Sequence, residues 1–205
     1  MALCLEKLGM ALVAVALLGG CREEKPRHIL PSGVRLEAGD VVFRRGGGFT
    51  SRMVLFADTA GNYSHVGIVV DSAGVLRVVH AVPDEPDYEG DPDRVKMESP
   101  EAFYAGTRAD IGCVLRHQDG DVARRAAAAA QDVYRRGTLF DHDYDAADTT
   151  RMYCCELVAY AYAAAGSPLD TGERHDISIP GLALRGVILP SDFFRDRALR
   201  LVSGF

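Results

Sequence analysis

Apolar positions fall into short blocks, each closed by glycine, proline or acidic residues. Leu8 to Gly20 is an uncharged run of thirteen residues preceded by Lys7. It is too short for the ~20 residues a membrane span requires and has the length of a signal-peptide core. Arg22 to Gly33 is polar, carries Pro26 and Pro31, and has the character of a linker. Asp40–Arg45 predicts a short strand, broken by Gly46-Gly47-Gly48, and Ser51–Ala57 predicts a helical turn or two. His65–Val70 and Val75–Val82 are rich in β-branched residues and predict a hairpin turning at Asp71–Gly74. Pro83 to Pro100 carries four prolines and seven acidic residues and predicts a surface loop. Gly112–His117 predicts another strand. Asp121–Arg136 predicts a helix that Asp121 caps, alanines fill and Gly137 stops. After a loop from Thr138 to about Thr150, Met152–Ala165 predicts a second helix, and Gly186–Leu189 a late strand. Antiparallel strands with a few helices make an α+β domain.

The composition narrows the function. The chain has 205 residues, 48% hydrophobic and 25% charged, enough for one domain with a sizeable core. A formal net charge of -6, with no basic run, argues against nucleic acid as a partner. The cysteines, at positions 4, 21, 113, 154 and 155, are odd in number and have no zinc-finger spacing, which argues against a disulfide framework. Leu18-Gly19-Gly20-Cys21 resembles a bacterial lipobox, in which the cysteine is lipidated and becomes the new N-terminus. The expected organisation is a signal peptide over 1–20, a lipid-anchored tether over 21–33 and a domain over 34–205. With Arg22 after Cys21 and no aspartate there, the expected location is the outer membrane, facing the periplasm.

Reactive side chains concentrate in two places. In the hairpin, a turn at Asp71–Gly74 pairs Val70 with Val75 and so sets His65 opposite His80, close enough to share a hydrogen bond. One imidazole then fixes the tautomer of the other. Two facing histidines also make a metal pair, or are two half-buried strand residues. At the start of the second predicted helix, unpaired N–H groups and the helix dipole favour a thiolate at Cys154. Cys155, about 100° around the helix, reads as a small buried apolar residue. The acidic cluster Asp141, His142, Asp143 and Asp145 reads as a solvated loop, and His117 and His175 as structural or surface residues.

Asp40-Val-Val-Phe43, Tyr63-Ser-His65-Val-Gly-Ile68, Val79-His80-Ala81 and Tyr153-Cys154-Cys155-Glu156-Leu157-Val158 follow one another in that order. This series resembles the circularly permuted branch of the NlpC/P60 cysteine hydrolases, the YiiX/YaeF-like proteins in particular. The resemblance extends over roughly residues 38–195, including Leu189-Pro-Ser-Asp-Phe193. It implies a papain-like fold whose nucleophile follows its histidine in sequence. By position it makes Cys154 the nucleophile, His65 the general base and His80 the third polar residue, where relatives often carry glutamate. Phe140 falls near the register of the family's oxyanion-hole side chain, with Tyr144 or Tyr153 as its substitute. The expected activity is a cofactor-free thiol hydrolase that cleaves an amide or ester of a peptidoglycan peptide or an acyl lipid through a thioester. The alternatives are a binding lipoprotein without activity, or a zinc site made by His65, His80 and Cys154.

Overall fold

The computed structural model describes residues 27–205 except 146, 147, 149, 180 and 181. The apolar run, Cys4, Cys21 and residues 22–26 of the expected tether lie outside the described residues. The chain forms β1 (Val41–Arg45), α1 (Phe49–Ala57), β2 (His65–Ser72), β3 (Val75–Val82), β4 (Arg94–Glu98), α2 (Pro100–Phe103) and β5 (Ile111–His117). There follow α3 (Gly120–Arg135), β6 (Leu139–Phe140), β7 (Arg151–Met152), α4 (Cys154–Ala164), β8 (His175–Ile179), β9 (Leu182–Val187) and β10 (Leu199–Gly204). Eight strands make one sheet in the order β10-β5-β1-β2-β3-β4-β6-β7. Its described pairs are antiparallel except β6 with β7. β8 and β9 form a separate hairpin. This is the expected α+β architecture.

β2 has no polar alternation because both of its faces are covered. On one face Val66, Ile68 and Val70 meet α3 and α4 through Ala126, Ala130, Leu157 and Val158. On the other, Val42, Val69, Val78, Phe103 and Tyr104 are covered by Ile29, Leu30, Val34 and Leu36 from the N-terminal side and by Val202 and Phe205 from the other end. Among the described residues of the expected tether, His28 bridges to Ala105 and Ile29 and Leu30 pack on this face.

Gly39 and Asp40 tie the helices to the sheet. Gly39 has φ 94, and a Cβ there would stand 2.4 Å from the carbonyl oxygen of Ala123 in α3. Its own carbonyl accepts a 2.6 Å hydrogen bond from the Tyr162 hydroxyl of α4. Asp40 is buried and holds Arg116 by two contacts of 2.7 and 2.8 Å.

The structure departs from the sequence reading in several places. The late strand is β9, Leu182–Val187, rather than Gly186–Leu189, and β10 follows it unexpected. The β2–β3 turn is the two residues Ala73 and Gly74, both at positive φ, rather than the four residues Asp71–Gly74. Val70 therefore pairs with Arg77, not Val75. An alanine at φ 54 carries none of the usual composition signal for such a turn. The Pro83–Pro100 stretch contains β4, whose Val95 and Met97 pack against the core beneath the acidic and proline-rich surroundings. The cap of α3 is Asp119, whose carboxylate accepts from the N–H groups of Asp121 and Val122. Asp141 is buried rather than solvated.

Candidate active site

His65 is the first residue of β2 and His80 lies near the end of β3. Continuing the observed register sets His80 opposite Gly67 and His65 opposite Val82, so the two histidines are diagonal, not directly opposed. The register differs from the expected one by two residues, an even number, so both side chains still share a face. Gly67 makes room between them: a Cβ there would stand 3.1 Å from that of His80 and 2.8 Å from Cγ1 of Val78. Nε2 of His65 lies 2.9 Å from Nδ1 of His80, with the rings nearly perpendicular. Phe103 packs against both.

Beyond His80 stands Glu98, the last residue of β4. Its Oε1 is 3.2 Å from Nε2 of His80, and neither atom has another hydrogen-bond partner among the described residues. An ionised Glu98 accepts from Nε2–H of His80, which leaves Nδ1 of His80 to accept from Nε2–H of His65. That tautomer frees Nδ1 of His65 for proton exchange. Glu98 is held in turn by Arg108, 3.0 Å away, which also reaches Glu85 at 3.3 Å; Arg44 binds the other oxygen of Glu85 at 2.5 Å. Glu98 was missed in sequence because it lies inside the stretch read as a loop; the alternation of β4 was its one signal.

Cys154 is the first residue of α4, and no side chain caps that helix start. It lines one small cavity with His65, and each of the two groups moves the other's pKa. Cys155 points into the core at 1% exposure, its sulfur 3.9 Å from that of Cys154. The Cys155 thiol, His65 and the N–H of Val66 hold Cys154 well below the usual thiol range against the opposing effect of burial. Burial pushes Cys155 well above that range. Burial also takes His65 down to about 4, although Cys154 acts the other way, and lowers His80 despite Glu98. Burial acts to raise Glu98, but its contact with His80 and the charges of Arg108 and Arg44 outweigh this and hold it at about 2.

Of the aromatic residues near the thiol, Phe140 has no donor. The Tyr153 hydroxyl accepts from the Ile188 N–H at 2.9 Å, in the core. Tyr144 lines the small cavity over Cys154 and has φ 53. Asp141 accepts from the N–H groups of Asp143 and Asp145, on either side of Tyr144, and so holds it in this unfavourable conformation. Among the described residues no three His, Cys, Asp or Glu side chains are placed to hold a metal ion together. The zinc shell of His65, His80 and Cys154 does not fit, since the two imidazoles bond to each other through Nε2 and Nδ1. His175 is bound by Asp192 at 2.9 Å, and His117 is buried against Tyr162.

A family described as "Permuted papain-like amidase enzyme, YaeF/YiiX, C92 family" matches residues 35–203. The chain belongs to this family. It is therefore an enzyme of the papain-like amidase kind, as the motif order implies. Among solved structures, that of the metalloprotein yiiX from Escherichia coli O157:H7 is similar with a TM-score of 0.66 and 21% identity. The match covers 84% of this chain and 99% of the other. No curated protein matches the sequence.

Proposed function

We propose that the chain is a cysteine amidase in which Cys154 attacks the carbonyl of an amide that carries an apolar acyl group. The observation that carries this reading is the ordered row Cys154, His65, His80, Glu98, with a 2.9 Å bond at its centre. His65 takes the Cys154 proton, and the thiolate adds to the carbonyl carbon. The N–H of Cys154 at the helix start and the hydroxyl of Tyr144 are the donors for the oxyanion. His65 returns the proton to the leaving amine, which departs as the thioester forms. Water, deprotonated by His65, then releases the acid and restores the thiol. His80 fixes the tautomer of His65, and Glu98 that of His80.

The cavity over the thiol supports an acyl substrate over a polar cell-wall peptide. Val54, Ala81, Pro83, Phe140 and Pro190 line it beside Tyr144. A second apolar hollow, under α1, continues from Val54 and Tyr144 to Ile177 and Leu184. Export and a lipid on Cys21 complete the proposal. The likeness to a protein titled a metalloprotein brings no metal into this reading, because no ligand set for one stands among the described residues.

The test is hydrolysis of N-acyl amides of increasing chain length, with mass spectrometry of the trapped acyl-enzyme. The acyl group is expected on Cys154, and Cys154→Ala is expected to abolish turnover. Acylation at another residue, or turnover by Cys154→Ala, refutes the reading. Tyr144→Phe is expected to lower kcat by about 10²–10³ with a smaller change in KM, the usual cost of one oxyanion donor.

A further inference from the structure

α1 lies over the cleft yet has no buried residue. Phe49 is 80% exposed and Phe56 67% exposed, and Arg52 between them is exposed too. Spacings of three and seven set these three side chains on one stripe of the helix. Neither phenylalanine has an aromatic partner among the described residues, in contrast to Phe43, Phe193 and Phe194. The opposite side of α1, through Thr50 and Val54, roofs the cavity that holds Cys154.

The route of the chain leads to the same place. The carbonyl of Arg27 accepts from the N–H of Gly106, and the next residues, Thr107 and Arg108, share with Phe49 the wall of a cavity of about 300 Å³ beside His65. Cys21 is six residues before Arg27, a reach of about 20 Å even when fully extended. A lipid on Cys21 therefore keeps this side of the domain, with Phe49, within reach of the bilayer.

We propose that α1 is a membrane-contacting helix that seats the mouth of the cleft on a phospholipid surface, with Phe49 and Phe56 entering the boundary between headgroups and acyl chains. Arg52 reaches back from between them to the phosphates, as arginine does at interfaces. Acyl substrates then pass from the bilayer into the apolar hollow under the helix. This passage rests on the amidase reading; the seating of the helix rests on exposure and on the lipid at Cys21.

The chain has no tryptophan, so a single introduced indole reports its own position. The full chain, lipidated at Cys21, is reconstituted in phosphatidylethanolamine–phosphatidylglycerol vesicles with brominated acyl chains. Phe49→Trp and Phe56→Trp are compared with Val75→Trp, an exposed site at the far end of β3. Iodoacetamide labelling of Cys154 reports that each variant is folded. Emission of the indoles at 49 and 56 is expected to shift to shorter wavelength and to be quenched, and that at 75 to do neither. Equal quenching at all three positions, or none at 49 and 56, overturns the proposal. A short-wavelength emission from the unlipidated Cys21→Ala chain in buffer places the helix against a protein surface and overturns it as well. Quenching at 49 and 56 without amide hydrolysis refutes the amidase reading and leaves the docking intact.

Discussion

Cys154 and Cys155 share a helix start but not an environment. One thiol faces His65 and the cleft, the other the core, and their pKa values move in opposite directions. A thiol held below its usual range stays ionised as the pH falls to that lower value. Iodoacetamide is therefore expected to label Cys154 at pH 6 as well as at pH 8, while Cys113 and Cys155, both raised by burial, resist it. His65→Ala removes one of the groups that hold the thiolate; labelling at pH 6 and nearly all turnover should go with it. Cys155→Ser keeps a donor beside Cys154 and should retain both. The His80 variants separate orientation from charge. Glutamine at 80 both accepts from His65 and donates to Glu98, so His80→Gln should exceed His80→Ala in kcat/KM. His80→Glu sets a carboxylate against Glu98 and should do worse than His80→Gln. Activity of His80→Ala equal to wild type would remove the positioning role. The cysteine and both histidines were legible in sequence because helix starts and strand faces leave a pattern. Glu98 and the Asp141 clasp on Tyr144 were not, since each depends on where a loop turns.

Element geometry decides how tightly the histidine pair is held. The hairpin register came out two residues from the expected one because a two-residue turn at Ala73-Gly74 replaced a four-residue one. The shared face survived because side chains alternate with a period of two. The direct opposition did not, and Gly67 now supplies the space in which the diagonal rings meet. Gly67→Ala forces a Cβ to within 3.0 Å of the Val79 carbonyl oxygen and 2.8 Å of the Val78 side chain. It should cost about 1–3 kcal/mol in urea unfolding and displace His80. A Gly67→Ala protein with unchanged stability and kcat would show that the strands have slack. The strands β1, β2, β3 and β5 and the helices α3 and α4 were visible as apolar blocks or periodic runs. β4 was hidden by prolines and acids, and β10 by exposed residues along an edge, where only a few positions pack.

For the molecule as a whole, the site is a store of acid sensitivity. An unfolded histidine titrates near 6.5, whereas folded His65 titrates at about 4. Between these values the unfolded chain binds the extra proton, so stability is full above about pH 6.5 and is lost as the pH falls toward 4. The loss from this one residue is about 3 kcal/mol. Melting temperatures from pH 7 to 4 should fall less steeply for His65→Ala than for wild type; parallel curves would place the acid sensitivity elsewhere. The face of the sheet away from α3 and α4 is covered by segments remote in sequence, Ile29 to Leu36 and Val202 with Phe205. None of these contacts has a local signature.

The separation of nucleophile and base has a consequence in time. Cys154 and His65 are 89 residues apart in sequence and meet only when α4 docks on β2. Until then Cys154 has the ordinary pKa of a cysteine, near 8.5, and is mostly protonated at neutral pH. The nascent chain thus carries a dormant thiol, which spares it modification before the fold is complete. In a refolding experiment, fast alkylation of Cys154 should appear with the last phase of tertiary packing, after the hairpin has formed, and so serve as a clock for the closing of the domain.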